Sequence, residues 1–206
     1  MFTLTVDAQY ASPYALAVFV TLLEKNLPFS MQKLDLSTGA QRTQVYCRAS
    51  LTQRVPLLAD GNFSLSESSA IIEYLQDTYP APSVLPHPPR HRARARQVQA
   101  WLRSDLLALR HDRSTEVVFY RPCATPLSPS GQADADKLIR IANQLLGKRL
   151  QLFDDWCIAD TELALALGRL VFQGDAVPAH LQAYVYHQWQ RPSVQEWVSQ
   201  QRPPLP

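Results

Sequence analysis

Three short stretches of the 206-residue chain carry side chains whose type and spacing could do chemistry. In Tyr10-Ala11-Ser12-Pro13-Tyr14-Ala15 a serine hydroxyl stands directly before a proline and an apolar run. Ser followed by Pro opens helices, because Ser accepts an orphan backbone N–H as N-cap and Pro loses nothing at the first helical position. Ser12 is therefore either a cap alone or a hydroxyl that also faces a reactant. In Arg54-Val55-Pro56-Leu57-Leu58 the proline cannot donate to a sheet ladder, which puts it at an edge or a turn. With a cis Val55–Pro56 bond the turn presents the N–H and C=O of Val55 outward, free to pair with an extended peptide. With a trans bond the stretch is a plain strand start. In Leu65-Ser66-Glu67-Ser68-Ser69-Ala70, hydroxyls and a carboxylate fall in the first turn of a helix, where unpaired N–H groups attract an anion. Ser66 reads as the cap, Ser68 can add a hydroxyl to a bound carboxylate, and Glu67 can accept from an ammonium.

Other stretches concern folding more than chemistry. Cys157-Ile158-Ala159-Asp160, before an apolar run, has the spacing of a capping box with Cys where Ser or Thr is usual. Arg90, Arg92, Arg94 and Arg96 alternate, so on a helix they split into two stripes with no interleaved aromatics. That is a solvated face or a subunit contact, not a nucleic-acid patch. The five histidines are scattered, and no G-x-S-x-G turn supports a Ser-His-Asp hydrolase. The three cysteines, Cys47, Cys123 and Cys157, form no C-x-x-C and no Cys/His cluster, so neither a structural metal site nor a dithiol pair is expected.

The elements that must position these residues follow from periodicity. Phe2 to Val6 alternates as a strand, Pro13 to Lys25 is an amphipathic helix ended by Asn26, and Phe29 to Leu36 reads as a second strand, parallel to the first. Val55 to Ala59 is a third strand, Asp60-Gly61-Asn62 a hairpin turn, and Phe63 to Leu65 a fourth strand. A helix then runs to about Thr78 with Ile71, Ile72, Tyr74 and Leu75 inward. Five prolines between Pro80 and Pro89 make a stiff, extended linker. Beyond it strand signals vanish. A long helical pattern covers 90–119, and further helices are expected near 131–147, 160–173, 179–189 and 193–200.

A formal net charge of +2, from 20 Lys and Arg against 18 Asp and Glu, is too small to imply nucleic acid or an anionic membrane as partner. The N-terminus lacks the basic start of a secretory signal, and the most apolar run, 14–23, is far short of the roughly 20 residues that span a bilayer. An odd, dispersed cysteine set suits a reducing, cytoplasmic setting.

The order of these features resembles the cytosolic glutathione S-transferase family over nearly the whole chain: Ser-Pro-Tyr, Val-Pro, Glu-Ser, the proline linker, the helical domain and x-Ile-Ala-Asp. QRVPLL, ESSAI, RARARQVQAWLRSDL, CIADT and QWQRPSVQ look similar to bacterial YfcF-type members. The resemblance implies a thioredoxin-like domain, β-α-β-α-β-β-α over 1–79, a linker over 80–89 and an all-helical domain over 90–206. It implies a glutathione transferase acting on a small electrophile, with peroxidase activity on organic hydroperoxides as a further expectation. Glutathione serves as co-substrate, with no other cofactor and no metal, in a homodimer. Ser12 matches the serine that hydrogen-bonds the glutathione sulfur, with Tyr10 its rival. Val55 matches the residue whose backbone pairs with the cysteinyl part. Glu67 and Ser68 match the pair holding the γ-glutamyl end, and Arg54 matches a position that reaches the glycyl carboxylate. Asp105 is the candidate acid offered to a neighbouring subunit's ligand, and Trp101, Arg110, Phe119 and Tyr120 are candidates for the electrophile pocket. Serine rather than cysteine at 12 argues against a branch that forms mixed disulfides. The alternative is a binding or regulatory protein that keeps the fold without catalysis.

Overall fold

The structure is a computed structural model and describes residues 1–205. Two compact units divide it, Met1–Val84 together with the chain from Gln195, and Leu85–Val194. The expected helical domain took in everything beyond residue 89, whereas the last residues associate with the first unit.

In the first unit, β1 (Phe2–Asp7) buries Phe2, Leu4 and Val6. Helix α1 (Pro13–Glu24) has no polar face over Ala15–Leu22, and all eight of those residues are buried. Strand β2 (Phe29–Leu34) returns parallel to β1, from Phe2↔Phe29 to Asp7↔Leu34. A 3₁₀ turn (Ala40–Arg42) and the short α2 (Gln44–Ala49) fill the polar stretch that showed no strong period, with Thr43 accepting the Tyr46 N–H to start α2. Strands β3 (Leu57–Asp60) and β4 (Phe63–Ser66) form the hairpin, where Gly61 takes a φ of 60° that side chains resist. Helix α3 (Ser68–Thr78) closes the unit, and the sheet order is β2-β1-β3-β4. This is the expected thioredoxin-like arrangement.

Local details differ from the sequence reading. Ser66 ends β4, and Glu67 is the N-cap residue of α3, with no side-chain cap bond. Tyr74 does not face the core: its ring leans on Phe63 and its hydroxyl donates to Asp60 at 2.7 Å. The proline segment is not a free spacer. The buried Lys25 ammonium donates to the carbonyls of Tyr79 (2.6 Å) and Pro82 (2.9 Å). Gln76 donates to the Pro80 carbonyl and accepts the Val84 N–H. A chain lacking its own secondary structure still has to satisfy its buried polar groups, and Lys25 and Gln76 do so here.

The second unit is helical: α4 (Pro89–Ser104), α5 (Leu107–Asp112), α6 (Glu116–Phe119), α7 (Pro129–Leu146), α8 (Ile158–Val171) and α9 (Ala179–Trp189). A final helix, α10 (Pro192–Val198), runs across the division between the units. The expected helix over 90–119 is broken at Asp105 and at Leu106, whose φ is 60°. The Asp105 carboxylate takes the Leu106 N–H at 2.8 Å, the Trp101 indole N–H at 2.8 Å and the Lys137 ammonium, local bonds that compete with helix continuation. Helix α8 is the core of this unit. Its capping box is present, with Asp160 accepting the Cys157 N–H at 3.0 Å, and the same carboxylate accepts from Leu152 N–H and the Tyr184 hydroxyl. Burial pushes the Cys157 thiol pKa far up, so this sulfur packs and does not react.

Candidate active site

The strand register gathers the three stretches. Thr5 pairs with Leu57 and Leu57 pairs with Ser66, so the end of β1, the start of β3 and the end of β4 lie at one end of the sheet. The loop to Ser12 leaves β1 there, the Val55–Pro56 turn enters β3 there, and Glu67-Ser68 leaves β4 there. This is also the carboxyl end of the parallel β1/β2 pair, where such sheets place ligands.

Ser12 is half-buried and is the N-cap of α1, accepting the Ala15 N–H at 3.2 Å. Asp7, which sequence reasoning passed over, fixes its position. This buried carboxylate accepts the Ala11 N–H at 2.7 Å and the Ser12 N–H at 3.1 Å. An aspartate at a strand end a few residues before a Ser-Pro helix start is the signal that could have found it. Tyr10 is placed differently from its rival Ser12. Its ring is buried edge-on against Trp197, with centroids 5.5 Å apart, and burial followed by the nearby Asp7 charge raises the phenol pKa. Tyr14 is half-buried on the first turn of α1.

The Val55–Pro56 bond is cis. Among the described residues neither the N–H nor the C=O of Val55 has an intramolecular hydrogen-bond partner. The preceding Arg54 carbonyl is anchored by the Tyr46 hydroxyl at 2.8 Å and Ser50 Oγ at 3.3 Å. Burial raises the Tyr46 phenol pKa, which keeps it a donor. The Arg54 residue is exposed.

Glu67 has φ 74° and ψ 112°, a conformation that a residue with a Cβ adopts at a cost. Its side chain is exposed, and its carbonyl accepts the Ile71 N–H as α3 begins. Ser68, the first helical residue, is buried. Two consecutive polar residues thus stand at the N-terminus of α3, where unpaired N–H groups favour negative charge, with the Glu67 carboxylate beside them.

The residues proposed from the second unit separate. Asp105 is occupied within its own chain by Lys137, Leu106 and Trp101, and these partners hold its carboxyl down to about 2. Trp101 lines a cavity of about 860 Å³ between α4 and α7, with Val98, Ile141, Leu145 and Phe153 among its walls. Phe119 instead sits by Trp189, centroids 6.1 Å apart. Among the described residues no group of three His, Cys, Asp or Glu could hold a metal ion. No helix among them is long and apolar enough to cross a membrane.

Comparison with known proteins gives a consistent result. The family model for the glutathione S-transferase N-terminal domain matches residues 8–83, and that for the C-terminal domain matches residues 89–202. Human glutathione S-transferase theta-1 is 29% identical over 176 residues, covering 77% of this chain and 72% of its own. A Burkholderia glutathione transferase homolog, solved with bound glutathione, is 45% identical with a TM-score of 0.80, covering 96% of each chain. A theta-class enzyme from Xanthomonas axonopodis pv. citri shares the fold at 22% identity and a TM-score of 0.79, covering 97% of this chain and 98% of that one. With both domain models matched in order, and with the thioredoxin-like sheet and helical unit in place, the chain belongs to the glutathione S-transferase family.

Proposed function

We propose that this chain binds glutathione at this shared end of the sheet and that Ser12 activates its thiol for attack on an electrophile. The observation that carries the reading is the Ser12–Ala15 bond. As cap the hydroxyl spends an acceptor lone pair, and its own proton remains to be donated. A free thiol has a pKa of about 8.5, so near neutral pH only a few per cent is thiolate. A donated hydrogen bond and the positive end of α1 both favour the anion. Lowering the pKa by about two units corresponds to about 2.7 kcal/mol of differential interaction and makes most of the thiol nucleophilic. No general base is required.

In this reading Val55 pairs through its backbone with the cysteinyl unit, Glu67 accepts from the γ-glutamyl ammonium, Ser68 and the α3 N–H groups hold its carboxylate, and Arg54 reaches the glycyl carboxylate. The thiolate attacks an electrophilic carbon and expels its leaving group. On a hydroperoxide it attacks oxygen, giving glutathione sulfenic acid and an alcohol after protonation. A second glutathione then yields the disulfide and water. Three free thiols support a reducing, cytoplasmic setting. A homodimer is supported by the exposed Arg90, Arg94 and Arg96 on α4 and is read by gel filtration. The stretches QRVPLL, ESSAI, RARARQVQAWLRSDL, CIADT and QWQRPSVQ support reading the chain as a bacterial YfcF-type member.

The deciding experiment is ultraviolet titration of the glutathione thiolate bound to the wild type and to Ser12→Ala. A thiol pKa that does not rise in the variant removes Ser12 from the mechanism. Absence of retention on immobilised glutathione, with no thermal shift in millimolar glutathione, would favour the non-catalytic alternative.

A further inference from the structure

We infer that the C-terminal segment is a strap that positions the Ser12 loop, acting through Tyr10, with Arg202 and Trp197 as its two points of attachment. The loop from Ala8 to Ser12 has no secondary structure of its own. From beneath it is held by Asp7, whose carboxylate fixes the N–H groups of Ala11 and Ser12 and whose carbonyl accepts the Tyr10 N–H at 3.1 Å. Those bonds leave the Tyr10 side chain and carbonyl to be set by something else, and Tyr10 adopts φ 49°, a left-handed conformation that costs an ordinary side chain.

Lys33 lies over the Tyr10 ring, its ammonium 5.9 Å from the centroid, and a further attachment comes from 192 positions later in the chain. Arg202 donates to the Tyr10 carbonyl at 3.3 Å. The same guanidinium donates to the carbonyls of Trp197 (2.9 Å), Val198 (2.7 Å) and Gln200 (3.1 Å), so it ties the C-terminal end of α10 to the loop. Trp197 is completely buried, edge-on to Tyr10 and 5.2 Å from the Phe19 ring of α1, the helix that Ser12 caps. A planar, multi-donor guanidinium suits this task, since one group satisfies several carbonyls in fixed directions. The Ser12 hydroxyl is thus held between α1, Asp7 and a C-terminal clamp on the residue two before it. Releasing the clamp lets Tyr10 leave φ 49° and turns the Ser12 hydroxyl away from the sulfur. Arg202 and Trp197 are positioning residues, remote in sequence from Ser12.

The inference rests on Ser12 being the donor to the glutathione sulfur, and the test separates the two. In Arg202→Gln the thiol pKa of bound glutathione rises and kcat at pH 6.5 falls by about fivefold or more. Glutathione affinity stays within about threefold. In a Ser12→Ala background the same substitution adds no further pKa shift. A thiol pKa unmoved by Arg202→Gln, with or without a lower melting temperature, overturns the strap. Trp197→Leu, which fills the space but removes the ring against Tyr10, is read for the same two outcomes if Arg202→Gln does not fold. Should Ser12→Ala itself leave the thiol pKa in place, the assignment of Ser12 fails. A shift in Ser12→Ala without one in Arg202→Gln or Trp197→Leu refutes only the strap.

Discussion

Ser12 Oγ accepts the Ala15 N–H at 3.2 Å, and this bond makes the hydroxyl a structural cap and leaves it a donor at once. A hydroxyl has two acceptor lone pairs and one proton, so capping and thiol activation draw on different parts of the group. Ser12→Ala removes both. Turnover near neutral pH is expected to fall by about tenfold or more as the bound thiol pKa climbs back toward 8.5, and folding stability to fall by about 1 kcal/mol from the lost cap. Steady-state kinetics between pH 5.5 and 9 distinguish the two effects, because only the first is recovered at high pH. Tyr10→Phe, by contrast, keeps the ring on Trp197 and is expected to leave the thiol pKa unchanged.

Glu67 offers a separation of backbone from side chain. At φ 74° glycine is at ease and alanine is not. Glu67→Gly is expected to be more stable than Glu67→Ala by about 1 kcal/mol in urea unfolding. Both lack the carboxylate, and both are expected to weaken glutathione by about tenfold in calorimetry. Equal affinity in wild type and the two variants would take Glu67 out of the γ-glutamyl site.

Ser68 is buried at the start of α3, and in the proposed site its hydroxyl holds the ligand's carboxylate. Ser68→Ala is expected to raise the glutathione dissociation constant by about five- to tenfold while kcat at saturating glutathione changes little. Normal affinity in this variant would contradict the anion-site assignment.

Lys25 reports on the proline segment. Its ammonium is buried and donates to the Tyr79 and Pro82 carbonyls, and burial lowers its pKa. Lys25→Met fills the volume but leaves two carbonyls without their donor. A loss of about 2 kcal/mol in denaturant unfolding is expected. Cleavage by a protease within residues 79–84 should also become faster.

Asp105 gives a pH signature. Lys137, the Leu106 N–H and the Trp101 indole depress its carboxyl pKa from an ordinary 3.8 to about 2. A depressed carboxyl contributes stability that is present above its unfolded value and is lost as pH falls through its folded one. Melting temperature should therefore decline between about pH 4 and pH 2, and Asp105→Asn should flatten that part of the curve. The side chain is about one-third exposed, so the effect is under about 1 kcal/mol.

Local signals carried the parts of this protein that local physics decides. Ser12-Pro13 marks a helix start, Asp60-Gly61-Asn62 a hairpin, and Glu67-Ser68 the entry to α3, each within a few residues of where it forms. Apolar periods of two and near four separated the strands of the first 66 residues from the helices beyond 89. Capping, turn formation and amphipathic burial depend on neighbours within one or two turns, so a single sequence displays them. The break at Asp105-Leu106 did not show, because Lys137, one of the partners that make it favourable, lies 32 residues away. Neither did the docking of the proline segment, which hangs on Lys25 more than 50 residues earlier.

The site divides along the same line. Residue types at 12, 55, 67 and 68 were readable in order. Their meeting at one end of the sheet comes from the pairings Thr5↔Leu57 and Leu57↔Ser66, which the apolar faces of four strands select together. By residue type alone Tyr10 rivals Ser12 as a hydroxyl two positions away. Tertiary structure separated them, burying the Tyr10 ring under Trp197 and leaving Ser12 to cap α1, because a long-range contact is fixed by the burial of many distant apolar groups and no short stretch encodes it.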